Sequence, residues 1–164
     1  NSLSKTYGLA GARIGFCLGN REVVAQLKRL KSNMDYGMFL PIQQAAIAAI
    51  TGDQSCVERT REAYVRRRNC LCDGFTAIGW PMERPAATMF VWAAIPSGYE
   101  TSEAFAMDLV EKAGLIVTPG SAFGPSGEGY VRLALVQDED AIRQAVDLVA
   151  VSGILSGGKS KVGR

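Results

Sequence analysis

The chain begins NSLSKTYGLAGARIG (residues 1–15), and the interpretation of the whole sequence depends on this segment. Two hydroxyls (Ser2 and Ser4), an amine (Lys5) and a guanidinium (Arg13) lie close together along a glycine-rich stretch. Hydroxyls and a guanidinium donate hydrogen bonds to phosphate oxygens, and an amine attacks an aldehyde carbon. This set of side chains therefore suits a phosphorylated aldehyde.

Composition sets outer limits on fold and function. A chain of 164 residues that is 48% hydrophobic fits one globular domain or two small units. The net charge is +2, and the only basic run, residues 66–68, is interpreted as a solvated helix flank, so no nucleic-acid surface is predicted. The sequence shows neither a secretory leader pattern nor an apolar run long enough to span a membrane, so neither secretion nor membrane insertion is predicted. The sequence has four cysteines, Cys17, Cys56, Cys70 and Cys72. Their spacing is not that of zinc ligands, so no metal site is predicted. Reduced thiols in the cytoplasm are the favoured interpretation.

The first half of the chain predicts one strand and three helices. Apolar alternation predicts a buried strand over residues 12–18, and capping residues with helical periodicity predict helices over residues 20–31, 41–50 and 53–79. A buried strand needs neighbours on both sides. Residues 1–52 are therefore expected to be the remnant of a larger α/β domain, with apolar faces left partly exposed. The third helix is long enough to connect two domains.

The second half predicts alternating strands and helices. Strands are expected over residues 88–94, 115–118 and 130–136, and helices over residues 101–113 and from 138 onward. These elements predict a small α+β domain over residues 80–151. The Gly/Ser/Lys-rich segment at 152–164 is expected to be a flexible tail.

Several stretches resemble one family. SLSKTYGLAGARIGF (residues 2–16) is similar to the S-x-S-K-x7-R-x-G segment of fold type I pyridoxal-phosphate enzymes, the aspartate aminotransferase superfamily. The resemblance covers nearly the whole chain and implies an α/β plus α+β fold: the C-terminal part of the fold type I transferase fold, in which a remnant of the large αβα domain precedes the small α+β domain. Three stretches look most like the alanine and LL-diaminopimelate aminotransferase branch: KSNMDYGMFLPIQQAAIAAITGD, ATMFVWAAIP and GYVRLALVQDEDAIRQAV.

The resemblance implies catalytic and cofactor-binding roles for residues in the segment 1–15. Lys5 would be the catalytic residue, which anchors pyridoxal 5'-phosphate covalently and later acts as a base. Ser2, Ser4 and Arg13 would bind the cofactor phosphate. The alternatives are that Lys5 is a surface lysine, that the serines satisfy loop backbone, and that Arg13 pairs with a carboxylate.

The resemblance also implies substrate contacts. Arg132 lies in an apolar strand, where an unpaired charge is costly to bury, and the family's arginine at this place binds the substrate α-carboxylate. The alternative is a solvent-facing arginine on an edge strand. Phe90 resembles an aromatic residue near the substrate, although core packing is its commoner use. Tyr36 lies in a region that reaches the partner subunit in these enzymes.

The resemblance implies transamination between an amino acid and a 2-oxo acid, in a cytoplasmic homodimer. The family's upstream cofactor contacts are absent from this stretch, so the chain alone is not expected to hold the cofactor tightly or to be active. Two other functions stay open: another fold type I enzyme, such as a carbon–sulfur lyase or a decarboxylase, or the ligand-sensing domain of a transcription regulator.

Overall fold

The computed structural model describes residues 1–156, which form two compact units. The first unit is Asn1–Glu62, and the second begins at Ala63. The boundary between them lies inside helix Ser55–Ala77. The finer division of the sequence at residues 52, 79 and 151 stays a prediction. No helix in residues 1–156 combines the length and apolar character needed to cross a membrane.

The first unit is helical, and the three helix predictions are confirmed. Its helices are α1 (Leu3–Thr6), α2 (Arg21–Met34), α3 (Leu40–Thr51) and the first part of α4 (Ser55–Ala77). The Asn20 side chain caps α2 by accepting hydrogen bonds from the N–H groups of Glu22 and Val23. Pro41 lies in the first turn of α3, where its missing N–H costs nothing, and Gly52 follows the helix.

The buried strand predicted over residues 12–18 is wrong. Residues Ala10–Ala12 form a 3-10 helix, and the only strand-like pairing nearby is an isolated bridge between Ser2 and Gly15. Ile14 is buried, but Phe16 is 42% exposed and Leu18 is 82% exposed. The apolar alternation is present in the sequence, but a strand forms only where neighbouring strands accept its hydrogen bonds.

Apolar side chains remain exposed along the first unit, as expected. Its buried core is small, centred on Leu3, Ile14 and Ala46. On the predicted apolar face of α2, Val23 is 63% exposed and Leu30 is 59% exposed. The apolar periodicity of α2 therefore matches a helix, but no apolar surface among the described residues covers this face of α2.

The second unit is built on a three-stranded antiparallel sheet with the strand order β1-β3-β2. Its elements are β1 (Phe90–Ala94), α5 (Ser102–Ala113), β2 (Thr118–Pro119), β3 (Tyr130–Ala134) and α6 (Glu139–Ser152). Thr101 and Asp138 cap α5 and α6, as the sequence predicts. The predicted strand at 115–118 is wrong except at its end, because Gly114 closes α5 in a left-handed conformation and the Leu115 N–H donates back to Leu109 O.

The two faces of the sheet differ in polarity and burial. Val91, Ala93, Val131 and Leu133 point into a core that also contains side chains from α4, α5 and α6. The other face carries side chains that are exposed or half-buried, among them Phe90, Trp92, Tyr130 and Arg132. Strand alternation therefore places Arg132 on the outer face beside aromatic residues.

Two further expectations need correction. Residues 153–156 are not a flexible tail, because Gly153 ends α6 and Ile154, which begins a short 3-10 helix, is 3% exposed. The rest of the predicted tail, residues 157–164, lies outside the described residues. The Arg66–Arg68 run is not uniformly solvated: Arg66 pairs with Glu139 at the surface, but Nε of Arg67 is buried and Nη1 donates to Leu135 O at 3.3 Å.

Candidate active site

A short backbone pairing in the first unit brings the lysine segment beside the Arg13 segment. The Leu3 N–H donates to Ile14 O at 3.2 Å, and the Phe16 N–H donates to Asn1 O at 2.8 Å. A Cβ atom at Gly15 would lie 2.7 Å from Asn1 O, so this close approach requires glycine. The fold therefore pairs the segment that carries Ser2, Ser4 and Lys5 with the segment that follows Arg13.

The two serines interact with each other. Ser2 Oγ donates to Ser4 Oγ at 2.9 Å and accepts a hydrogen bond from the Ser4 N–H at 3.1 Å. Ser2 thus caps the short helix α1, as the backbone alternative described, and its hydroxyl proton is donated to Ser4. The Ser4 hydroxyl donates to no described residue, so its proton is available to a ligand, whereas Ser2 would have to turn its proton away from Ser4. Lys5 follows in α1 and is exposed.

Arg13 adopts an unusual backbone conformation. Its φ of 53° lies in the left-handed region, which few residues other than glycine occupy. Its Nη1 donates to Ala10 O at 3.0 Å, and no carboxylate among the described residues pairs with it. Most of the five donors of the exposed guanidinium therefore remain available to a ligand.

The second unit positions Arg132 at the centre of its sheet. β3 lies between β1 and β2, so the alternative of an edge-strand arginine is wrong. The pairing places Arg132 opposite Trp92 on one side and Thr118 on the other. Nε of Arg132 is buried and has no hydrogen-bond partner among the described residues, and Nη2 is 3.5 Å from Thr118 Oγ1.

Two aromatic rings lie beside this guanidinium. Cζ of Arg132 lies 4.3 Å from the ring centroid of Phe90 and 4.6 Å from that of Phe123. Phe90 was singled out from the sequence, but Phe123 was not. It lies in PGSAFGPSGEG (residues 119–129), a glycine- and proline-rich stretch between two predicted strands to which no role is assigned from the sequence. The signal that could have identified Phe123 was an aromatic residue in the loop that leads into the strand of Arg132.

The predicted site residues therefore form two groups. Ser2, Ser4, Lys5 and Arg13 lie on two segments of the first unit whose backbones pair, and Phe90 and Arg132 contact each other in the second. Tyr36 follows α2 in the first unit with a fully exposed side chain, and its role at a subunit interface stays a prediction.

Comparison with known proteins identifies the family. Residues 1–149 match the family model described as aminotransferase class I and II. The chain belongs to the class I and II aminotransferases. It is 44% identical to an LL-diaminopimelate aminotransferase of Moorella thermoacetica and 49% identical to the glutamate-pyruvate aminotransferase AlaC of Escherichia coli, each over 147 residues. The predicted resemblance to the alanine and LL-diaminopimelate aminotransferase branch is confirmed.

The match covers most of this aminotransferase chain but a minor part of its relatives. It covers 90% of this chain and 37% of the M. thermoacetica protein, and 88% and 36% for the E. coli protein. An aminotransferase of Staphylococcus aureus superposes with a TM-score of 0.87 at 31% identity, over 94% of this chain and 41% of its own. An aromatic aminotransferase of Pyrococcus horikoshii gives 0.86 at 27% identity, over 93% and 41%. The predicted fold type I architecture is confirmed.

Pyridoxal 5'-phosphate is the cofactor of this family, and the first unit of the aminotransferase chain fits its phosphate end. The Ser4 hydroxyl proton has no acceptor, and the Arg13 guanidinium has no carboxylate partner, among residues 1–156. A guanidinium binds phosphate oxygens with a planar, two-pronged contact. The exposed Lys5 amine follows directly, so this unit offers a primary amine next to a site that suits a phosphate.

Proposed function

We propose that this chain is part of a longer pyridoxal-phosphate-dependent aminotransferase, which transfers an amino group between an amino acid and a 2-oxo acid of the alanine/glutamate or diaminopimelate type. The names of the two curated relatives support this choice of substrates. The structural observation that supports it most is the guanidinium of Arg132, whose Nε is buried without an anionic partner among the described residues. Substrates of this reaction carry a carboxylate that can supply that partner.

Lys5 is the proposed catalytic residue. The cofactor, when bound, supplies an electron sink that makes a proton on the substrate's α-carbon acidic. The Lys5 amine holds the cofactor covalently between turnovers, and its Nζ then takes up and returns the proton. A primary amine that is exposed and has no carboxylate partner within residues 1–156 is free to exchange with a substrate amine.

Arg132 is the proposed substrate-orienting residue. A two-pronged contact from a guanidinium to a carboxylate fixes the direction as well as the position of a bound amino acid. The neighbouring aromatic rings of Phe90 and Phe123 keep water away from part of this contact, which strengthens it. Phe90 is thus proposed to border the substrate.

Arg13→Ala is expected to weaken cofactor retention more than chemistry. Arg13, with Ser2 and Ser4, is proposed to hold a phosphate that stays bound throughout the cycle, so its loss should raise the Kd for pyridoxal phosphate by roughly 10- to 100-fold, the value of one or two charge-assisted hydrogen bonds. Cofactor titration followed by absorbance measures this, and excess cofactor should restore part of the activity. An unchanged Kd would contradict the phosphate role of Arg13. Arg21→Ala, an exposed arginine in the same unit, is the matched control.

The reaction itself is tested with the full-length protein. Loaded with pyridoxal phosphate, it should convert alanine or LL-diaminopimelate in the presence of a 2-oxo acid, with equal amounts of amino donor lost and new amino acid formed. Chromatography of both amino acids measures this balance. Release of carbon dioxide from these amino acids would instead identify a decarboxylase, and release of sulfide from cysteine, tested in a parallel assay, would identify a carbon–sulfur lyase. Amino-acid binding without turnover would identify a sensor domain.

The proposed protein is a cytoplasmic homodimer. The exposed Tyr36 and the exposed apolar face of α2 support an assembly in which further protein surface covers this part of the first unit.

A further inference from the structure

Hydrogen bonds do not fix the orientation of the Arg132 guanidinium. Nε has no partner among the described residues, and the Nη2 contact with Thr118 Oγ1, at 3.5 Å, is at the limit of a hydrogen bond. A guanidinium on a flexible side chain loses its two-pronged geometry when it rotates. The close contacts that remain are the two rings, which lie 4.3 Å and 4.6 Å from Cζ.

We infer that Phe123 is a positioning residue, which together with Phe90 holds the guanidinium of Arg132 in the plane that meets a carboxylate. This inference rests on the proposed function, since it concerns the same substrate carboxylate. A cation over an aromatic face is attracted by the ring's quadrupole, and the attraction increases as water is excluded. A guanidinium that stacks on an aromatic ring keeps the N–H donors at its edge free, and these donors are the groups that a carboxylate needs.

The loop of Phe123 is built to hold the ring in place. Gly120 and Gly127 approach so closely that a Cβ atom at Gly120 would lie 1.9 Å from Gly127 O. Ser121 N–H donates to Ser102 Oγ at 3.3 Å, which ties the loop to the start of α5. The Phe123 and Trp92 rings form an edge-to-face pair, with centroids 5.6 Å apart. Close backbone packing and a hydrogen bond to α5 therefore support the loop of Phe123, although the Phe123 side chain is 52% exposed.

Glu128, at the other end of the Phe123 loop, also ties the loop to the start of α5. Its Oε1 accepts hydrogen bonds from the Ser102 N–H at 2.6 Å and the Gly129 N–H at 2.8 Å. These N–H groups lower the pKa of the Glu128 carboxyl, so it stays ionised at neutral pH. A loop that is tied at both Ser121 and Glu128 can present a half-exposed ring without burying it.

Phe123→Ala in the full-length holoenzyme tests the inference. The KM for an amino acid should rise by about 3- to 30-fold, the range of a partly desolvated cation–π contact, while kcat changes little. The Kd of propionate, which has the carboxylate but no amine to react, should rise by a similar factor in a spectroscopic titration. Single-turnover reaction with ethylamine, which has no carboxylate, should be unchanged. Phe123→Tyr keeps the ring and should restore both constants.

Two comparisons separate this inference from the proposed function. Met107→Ala removes an apolar side chain that is also 52% exposed, and it should leave both constants unchanged. In an Arg132→Lys background, Phe123→Ala should cost clearly less than it does alone, because its effect acts through the guanidinium. If Arg132→Ala does not weaken propionate binding, the proposed role of Arg132 fails. If Arg132→Ala weakens it but Phe123→Ala does not, or if Phe123→Ala slows ethylamine equally, the positioning role is overturned.

Discussion

Lys5→Ala in the full-length protein is expected to abolish the visible absorbance of the covalently held cofactor and to lower transamination by on the order of 10⁴-fold or more. The loss is large because one side chain serves as anchor and as base, and proton transfer by a positioned base alone contributes about 10²–10⁴-fold. Absorbance spectra and amino-acid exchange rates measure the two losses. Lys5 is exposed in α1, so its replacement by alanine removes no side chain from the buried core of the first unit.

Two variants make the Lys5 experiment specific. Lys5→Arg keeps the positive charge but removes the nucleophilic amine, so it should be as inactive as Lys5→Ala. Lys28→Ala removes an exposed lysine from α2 and should behave like the unaltered protein. Turnover retained by Lys5→Ala would overturn the catalytic assignment.

Local chemistry made the helices predictable from the sequence. Asn20, Thr101 and Asp138 each cap a helix with a side-chain oxygen, and such a cap depends only on residues within one turn. Gly114 closes α5 for an equally local reason. These features could be located from the sequence because no distant residue takes part in them.

The errors in prediction have a different physical origin. The apolar run at residues 12–18 carries the alternation of a strand, but strand formation depends on partners elsewhere in the chain. Thr88 has a φ of 78°, which is rare for a β-branched residue, and β1 begins only at Phe90 instead of at residue 88. In both cases the local pattern was identified correctly and the outcome was decided by the surrounding structure.

The residues of the candidate site also divide into those that a local sequence pattern identifies and those that only the fold identifies. The Lys5 segment is continuous in sequence, so its spacing could be compared with a family motif. Arg132 was detectable because a charged residue in an apolar strand needs an explanation. Phe123 was missed because its relation to Arg132 exists only through the fold, which brings a glycine-rich loop over the outer face of the sheet.

Arg132→Ala is expected to lower kcat/KM for amino acids by roughly 30- to 1000-fold, about 2–4 kcal/mol of transition-state stabilisation, while the spectrum of the bound cofactor stays nearly unchanged. The magnitude is that of leaving one member of a buried charge pair without its partner. The spectrum is expected to persist because the proposed cofactor contacts belong to the first unit and Arg132 to the second. Steady-state kinetics and absorbance spectra of the same preparation measure the two effects.

A second substitution at Arg132 and a substrate without a carboxylate test whether Arg132 binds the substrate carboxylate. Arg132→Lys should recover little, because an ammonium cannot reproduce the two-pronged contact of a guanidinium. Arg66→Ala is the matched control: Arg66 forms an exposed pair with Glu139, and such a pair contributes at most about 1 kcal/mol. Amines without a carboxylate should react with Arg132→Ala as they do with the unaltered protein. If these amines lose as much activity as amino acids do, Arg132 supports the sheet and does not bind the substrate, because a carboxylate contact cannot affect a substrate that has no carboxylate.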